Sequence, residues 1–208
     1  MDKILVGIDR DGTINRDVGY LGAKQNWKDE LFIYPDAIEG IKLLTENPDV
    51  KVVVATNQAG IAHGFLSEEK VKEVNASIDA YLKEKGVYVA GWYYSPFVST
   101  AYAIENGLSV TNPWVKENDM RKPCTGMLKQ AAHDLSMILD DIKVYFIGDK
   151  DVDVLTGINA GGAGILVHRA HNQKHYELVK RLAEKNTRKI FIVKNVRKAA
   201  KIILSHTV

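Results

Sequence analysis

Residues Ile4-Leu5-Val6-Gly7-Ile8-Asp9-Arg10-Asp11-Gly12-Thr13-Ile14-Asn15 decide how the rest of the chain is read. The run Ile4–Ile8 is almost wholly apolar, the pattern of a strand covered on both faces. Two carboxylates one residue apart follow at once, then a glycine and a hydroxyl. In an extended segment residues i and i+2 point to the same side, so Asp9 and Asp11 can converge at the strand's carboxyl end. Two like charges so close repel, and a divalent cation relieves them. An ordinary turn is the competing reading, since Asp and Gly are common turn formers.

Further strands with the same habit lie downstream. Val52–Ala55 runs straight into Thr56-Asn57-Gln58-Ala59-Gly60, and Val144–Ile147 runs into Gly148-Asp149-Lys150-Asp151-Val152-Asp153. Val87–Tyr94, Ile165–Val167 and Ile190–Val193 complete the strands. Between them, helical spacing predicts helices after Pro35-Asp36, after Ser67 (an N-cap followed by Glu68 and Glu69), after Arg121-Lys122-Pro123, after Lys150, around Tyr176–Ala183 and around Val196–Ile203. Two stretches, Asn15–Tyr34 and Phe97–Met120, have no clean period and read as loops. This alternation predicts an α/β fold with a doubly wound, mainly parallel sheet and helices on both faces. Ligands in such sheets bind outside the carboxyl ends of the strands. Asp9, Thr56 and Asp149 each follow a strand directly, whereas scattered polar residues would fall at either end.

Composition narrows the possibilities. The 208 residues suit one domain, 1–208, without repeat or linker. A formal charge of +2 gives no general pull toward nucleic acid or membrane. The basic cluster Arg181, Lys185, Arg188, Lys189, Lys194, Arg197, Lys198 and Lys201 reads as the wet face of helices. Cys124 is the single cysteine, which excludes an intrachain disulfide and a cysteine-rich zinc site. On this reading it packs as a small residue and carries no redox chemistry. Met1 is followed at once by Asp2, Lys3 and the first strand. With no room there for a signal peptide and no membrane-length apolar run, the expectation is a cytoplasmic protein with no membrane partner.

If the strand ends converge, Asp9, Asp11 and Asp149 supply three carboxylates suited to a hard cation such as Mg2+. Thr56, Asn57 and nearby main-chain N–H groups can bind the oxygens of an anion, and Lys122 and Lys150 add fixed positive charge. That set holds a phosphoryl group and neutralises its developing charge. One carboxylate can attack phosphorus to form an aspartyl-phosphate, and its neighbour two residues on can carry the proton. No P-loop is present, and Gly161-Gly162-Ala163-Gly164 stands in the wrong context for a dinucleotide fingerprint. Asp149 and Asp153 also fit the first turn of a helix, where acids favour the dipole.

Four segments together resemble the haloacid dehalogenase superfamily: Asp9-Arg10-Asp11-Gly12-Thr13, Thr56-Asn57-Gln58, Arg121-Lys122-Pro123, and Gly148-Asp149-Lys150 with Asp153. They occur in the superfamily's order and spacing, spanning about Ile4 to Val167. Arg10, Asn15-Arg16-Asp17 with Gly19-Tyr20, the run Thr56–Gly64, and Arg121–Met127 resemble the branch of D-glycero-D-manno-heptose 1,7-bisphosphate and histidinol-phosphate phosphatases. The resemblance implies Asp9 as nucleophile and Mg2+ ligand, and Asp11 as general acid/base with its main-chain carbonyl on the metal. It implies Asp149 as a further ligand, with Lys150 and Asp153 in support. Thr56 and Asn57 would hold the phosphoryl group, Lys122 would balance its charge, and Arg121 would touch the substrate beyond it. Arg10, Gln58 and Lys150 join Asn57 and Arg121 as candidate substrate- or phosphate-binding residues.

The departures are specific. Where the branch carries a Cys/His zinc site this chain has Ser95, Phe97, Asn118 and Met120, so zinc is not expected, and Trp114 with neighbouring apolar contacts is expected to order the loop. His63 replaces a common arginine. Residues from Asn172 on form a helix-strand-helix extension beyond the clear match. The gaps between motifs leave no space for a cap domain, so the site should be open, with the 97–120 loop gating it. His133, His168, His171, His175 and His206 show no ligand spacing and read as structural or solvent-facing. The expected function is Mg2+-dependent hydrolysis of a small sugar phosphate or bisphosphate. Histidinol phosphate and a nucleic-acid 3′-phosphate are the alternative substrates, and a catalytically inactive binding protein is the remaining class.

Overall fold

The computed structural model describes residues 3–185 and 189–206; Met1, Asp2 and Arg188, used above, lie outside the described residues. In chain order the strands and helices are β1 (Ile4–Ile8), α1 (Trp27–Glu30), α2 (Pro35–Thr45), β2 (Val50–Asn57), α3 (Glu68–Glu84), β3 (Gly91–Ser95), α4 (Thr100–Glu105), α5 (Gly126–Asp134), β4 (Lys143–Gly148), α6 (Asp151–Asn159), β5 (Ala163–Val167), α7 (Gln173–Lys185), β6 (Ile190–Val193) and α8 (Val196–Ser205). The six strands form one sheet in the order β3-β2-β1-β4-β5-β6. Every neighbouring pair is parallel.

The two-residue period of the strands sorts side chains between two cores. Ile4, Val6 and Ile8 of β1 pack with Ala37, Ile41 and Leu44 of α2, Val74, Ile78 and Leu82 of α3, and Ala199, Ala200 and Ile203 of α8. On the opposite face Leu5, Val53 and Phe146 meet Met127, Leu128 and Ala131 of α5, while Leu166 meets Val154 of α6 and Val179 of α7. The sheet is therefore doubly wound, with α2, α3 and α8 against one face and α5, α6 and α7 against the other. Gly7 leaves room for the Phe146 ring of the paired position on β4, because a Cβ there would meet that ring at 2.6 Å. Among the described residues no helix is long and apolar enough to cross a membrane.

Element boundaries differ from expectation where non-local contacts take over. The third strand starts at Gly91 rather than Val87, whose N–H instead closes the end of α3 on Leu82 O. The helix expected directly after Pro123 begins at Gly126, once Arg121–Thr125 has completed a turn. The 97–120 stretch contains α4, with Ser99 as its N-cap. Six helical residues are too few to show a period in sequence. That stretch folds on its own small core of Ala62, Val98, Ala103 and Val115, flanked by Tyr102, Leu108 and Trp114. Asn112 Nδ2 ties it to Ala62 O at 2.8 Å.

The order of strands reverses between β1 and β4, and the crevice at their carboxyl ends is where such folds bind ligands. The loop after β1, the end of β2 and the loop after β4 all open there.

Candidate active site

A cavity of about 600 Å³ lies over those strand ends, lined in part by Asp9, Asp11, Thr56, Asn57, Gln58, Arg121, Lys122, Lys150 and Asp153. Asp9 leaves the end of β1 and is buried. Lys122 Nζ bridges Asp9 Oδ1 at 2.5 Å and Asp153 Oδ1 at 2.7 Å, with all three side chains almost fully enclosed. Burial pushes the Asp9 carboxyl up to about 6, against the opposing pull of the Lys122 ammonium. Burial works against the Lys122 charge too, but Asp153 and Asp9 outweigh it and raise its pKa. Lys150 follows the same logic: burial opposes its charge, and Asp9, Asp149, Asp17 and Asp153 more than compensate. Its Nζ donates to Asp17 Oδ2 at 3.1 Å.

Asp9, Asp149 and Asp153 each offer an oxygen within 4.8 Å of the others. Asp149 Oδ1 is buried and has no hydrogen-bond partner. Asp149, with its buried unpartnered oxygen, and Asp9 beside it fit a divalent cation such as Mg2+, while Asp153 stands next to them on Lys122. Space around Asp149 is limited: a Cβ on Gly12 would lie 2.3 Å from Asp149 Oδ2, and Gly12 has φ +95°.

The Asp11 carboxylate does not join this cluster, which corrects the expected trio of Asp9, Asp11 and Asp149 side chains. The chain stops being extended at Arg10, whose carbonyl accepts from Ile14 N and Asn15 N in a turn, so the i, i+2 rule no longer applies. Asp11 instead accepts from Arg10 Nε and Nη2 at 3.2 and 2.7 Å, Asn15 Nδ2 at 3.0 Å and Gln58 Nε2 at 2.9 Å. Burial would raise its pKa, but Arg10 and these hydrogen bonds prevail and lower it.

Arg10 also departs from its expected role as a substrate contact. It is fully buried and does not line the cavity. Its Nη1 donates to Asn75 Oδ1 of α3 at 2.7 Å, so the guanidinium is a strut behind Asp11. Asn57 and Gln58 line the cavity but spend their amides on neighbours. Asn57 exchanges two hydrogen bonds with the Lys122 main chain, at 3.0 and 3.1 Å. Gln58 Nε2 bridges Asp11 Oδ2 and Thr56 Oγ1, both at 2.9 Å. Arg121 reaches the wall, donating to Phe97 O at 2.9 Å with its guanidinium 5.4 Å from the Tyr102 ring centroid. Burial lowers the Arg121 pKa.

Above this floor stands an aromatic rim. His63 stacks on Phe65 with centroids 5.2 Å apart and shares a 3.1 Å hydrogen bond with Tyr102 Oη, while Tyr20 packs on Phe65. Tyr20 and Tyr102 line the cavity. Four residues after β5 were missed as part of the site. Arg169 donates to Gly12 O and Thr13 O, Asn172 donates to Asp149 O, His171 contacts Asp149, and His175 lines the cavity against Asp151. The strand-end rule that singled out Asp9, Thr56 and Asp149 applies equally to the residues after Val167.

Residues 4–177 match the family described as polynucleotide kinase 3 phosphatase. The D-glycero-D-manno-heptose-1,7-bisphosphate 7-phosphatase of Chlorobaculum tepidum is 33% identical over 171 residues, covering 80% of this chain and 79% of that protein. The chain belongs to the haloacid dehalogenase superfamily of phosphatases. Solved structures agree with the fold of this phosphatase. A HAD-like protein from Mesorhizobium loti aligns with TM-score 0.66 and 30% identity, covering 79% of this chain and 72% of that one. The D,D-heptose 1,7-bisphosphate phosphatase of B. bronchiseptica, solved with magnesium and phosphate, aligns with TM-score 0.71 and 23% identity over 98% and 99% of the two chains.

Proposed function

We propose that this phosphatase hydrolyses a small sugar phosphate or bisphosphate, D-glycero-D-manno-heptose 1,7-bisphosphate first among them, by transferring the phosphoryl group to Asp9. The observation that carries this reading is the enclosed group Asp9, Asp153 and Lys122 lining a cavity of substrate size, with Asp149 buried beside the two acids. The names of the curated relatives support the sugar bisphosphate.

Asp9 and Asp149 would hold Mg2+ together with the Asp11 main-chain oxygen. Bound there, the cation would offset the phosphate's charge. Asp153 has one oxygen on Lys122 Nζ and the other on Lys150 N–H, and serves to hold those two residues. An Asp9 oxygen bonds to phosphorus as the ester oxygen leaves, taking a proton from Asp11. In the second half Asp11 takes a proton from water, whose oxygen bonds to phosphorus and releases Asp9. The hydrogen bonds from Arg10, Asn15 and Gln58 favour the ionised Asp11, the form this second half requires, and oppose the protonated form that the first half uses. Thr56 and the main chain beside it receive the phosphoryl oxygens, and Lys122 balances their charge. Asn57 and Gln58 act by holding Lys122, Thr56 and Asp11 in place.

Arg121 and the Tyr20–His63–Phe65–Tyr102 rim would meet the part of the substrate beyond the reacting phosphate. A nucleic-acid 3′-phosphate fits less well. The cavity wall carries Asp17, Asp151 and Asp153 among its cations, which repel a polyanion. The small apolar core under Trp114 supports order in the 97–120 loop without zinc. We also take residues 1–208 as one domain, since β6 extends the sheet and α8 shares the core of α2.

A phosphate-release screen with Mg2+ tests this reading. Heptose and hexose bisphosphates, sugar monophosphates, histidinol phosphate and a 3′-phosphorylated oligonucleotide form the panel. The expected result is the highest kcat/KM on a sugar bisphosphate. Fastest turnover of the oligonucleotide, or no turnover of any sugar phosphate, overturns it.

A further inference from the structure

The segment after β5 converges on the loops that carry the acids. Arg169 donates from Nε to Gly12 O at 3.0 Å and from Nη2 to Thr13 O at 3.2 Å. Its guanidinium is also anchored on Asp36 and lies 3.6 Å from the Tyr34 ring centroid. Three residues on, the buried Asn172 donates from Nδ2 to Asp149 O at 2.7 Å and Val167 O at 2.9 Å. Between them His171 Nε2 lies 3.1 Å from Asp149 Oδ2. Three residues within four positions thus grip the loop after β1 and the loop after β4, on opposite sides of the reversal in strand order.

Asp149 is held at both of its ends. Asn172 fixes its carbonyl, and His171 fixes one carboxylate oxygen. Its other oxygen, Oδ1, is buried without a partner, and the carboxylate belongs to the three-acid cluster. Packing does not explain the histidine, since its side chain is 41% exposed. A carboxylate free to rotate must lose that freedom when it binds a cation, whereas one already held by a donor does not.

We infer that His171 is a positioning residue for the cation site: its Nε2–H holds Asp149 Oδ2, so that Oδ1 is the oxygen presented to a divalent ion. This rests on the cation reading given under Proposed function. The C-terminal part of the chain thereby completes the site that the motifs begin.

Mn2+ binding to the full chain, measured by electron paramagnetic resonance and calorimetry, tests it without reference to turnover. In His171→Ala the Mn2+ Kd should rise about tenfold or more. His171→Gln, which can present an N–H at similar reach, should recover most of the affinity. In phosphate release, His171→Ala should need more Mg2+ for half-maximal rate yet approach the original kcat at saturating Mg2+, with an unchanged thermal midpoint. Unchanged Mn2+ affinity in His171→Ala, or a loss of affinity that tracks a lowered thermal midpoint and is shared by His171→Gln, overturns the inference while leaving the cation reading intact. Absence of Mn2+ binding in the unaltered protein overturns both.

Discussion

Lys122 Nζ and Asp9 Oδ1 lie 2.5 Å apart, 113 residues distant in sequence and both almost sealed from solvent. Asp153 shares the same ammonium at 2.7 Å. One cation therefore compensates two buried acids, and its main chain is pinned to the end of β2 by Asn57. Removing it should be costly twice over. Lys122→Met is expected to destabilise the fold by about 3 kcal/mol, because Asp9 and Asp153 are left buried without their counter-charge. Urea unfolding measures that loss, and phosphate release should fall with it even under conditions where the variant is fully folded.

Asp9→Asn separates chemistry from folding. The amide keeps the side chain's shape, and Lys122 retains Asp153. Phosphate release is expected to drop by about four orders of magnitude, while the thermal midpoint stays at or above the original value, since burying that charge is unfavourable. Full activity in this variant would exclude transfer to Asp9.

Arg10→Met should alter the acid limb of stability. The folded-state pKa of Asp11 is lowered, so its ionisation contributes stability that is present above the unfolded value of 3.8 and lost as pH falls through the lower folded value. Without the guanidinium that depression largely disappears. The variant should be about 3 kcal/mol less stable at neutral pH, with acid unfolding beginning at higher pH. Thermal midpoints between pH 2 and 7 read both effects, and an unshifted acid limb would remove Arg10 as the cause.

Gly12→Ala tests crowding at Asp149. The added Cβ would lie 2.3 Å from Asp149 Oδ2 in a backbone of φ +95°, whereas a Cβ on Gly64, at φ +73°, meets nothing within 4 Å. Both variants carry backbone strain of roughly 1 kcal/mol or more, but only Gly12→Ala should also raise the Mg2+ concentration needed for half-maximal rate. Equal Mg2+ requirements in the two would refute the crowding.

Two chelators distinguish two metals. Removal of all divalent ions should stop phosphate release, and added Mg2+ should restore it. A zinc-selective chelator should leave the rate unchanged, because the 97–120 loop is held by Val98, Ala103, Val115 and Trp114. Loss of activity on selective zinc removal would overturn that account of the loop.

Much of the fold was legible because its cause is local. Unbroken apolar runs such as Ile4–Ile8 and Val144–Ile147, the Ser67 cap and the helix signal at Pro35 each report on their own few residues. The six-stranded parallel sheet follows from their alternation. Thr100–Glu105 escaped because its helix is too short for a period and is held by contacts to Ala62 and Val98. The extended i, i+2 rule failed at Asp11 because a turn on the Arg10 carbonyl redirects the carboxylate.

The sequence by itself determined the strands, the two-faced α/β sheet and the strand-end acids Asp9 and Asp149, since hydrophobic period and chain order are properties of neighbours along the chain. Tertiary structure alone decided that Asp153 rather than the Asp11 side chain completes the acid cluster. It also decided that Arg10 is a buried strut, and that His171 and Asn172 hold Asp149. Those outcomes depend on which donor lies within about 3 Å of which oxygen across the sheet, and no spacing along the chain carries that distance.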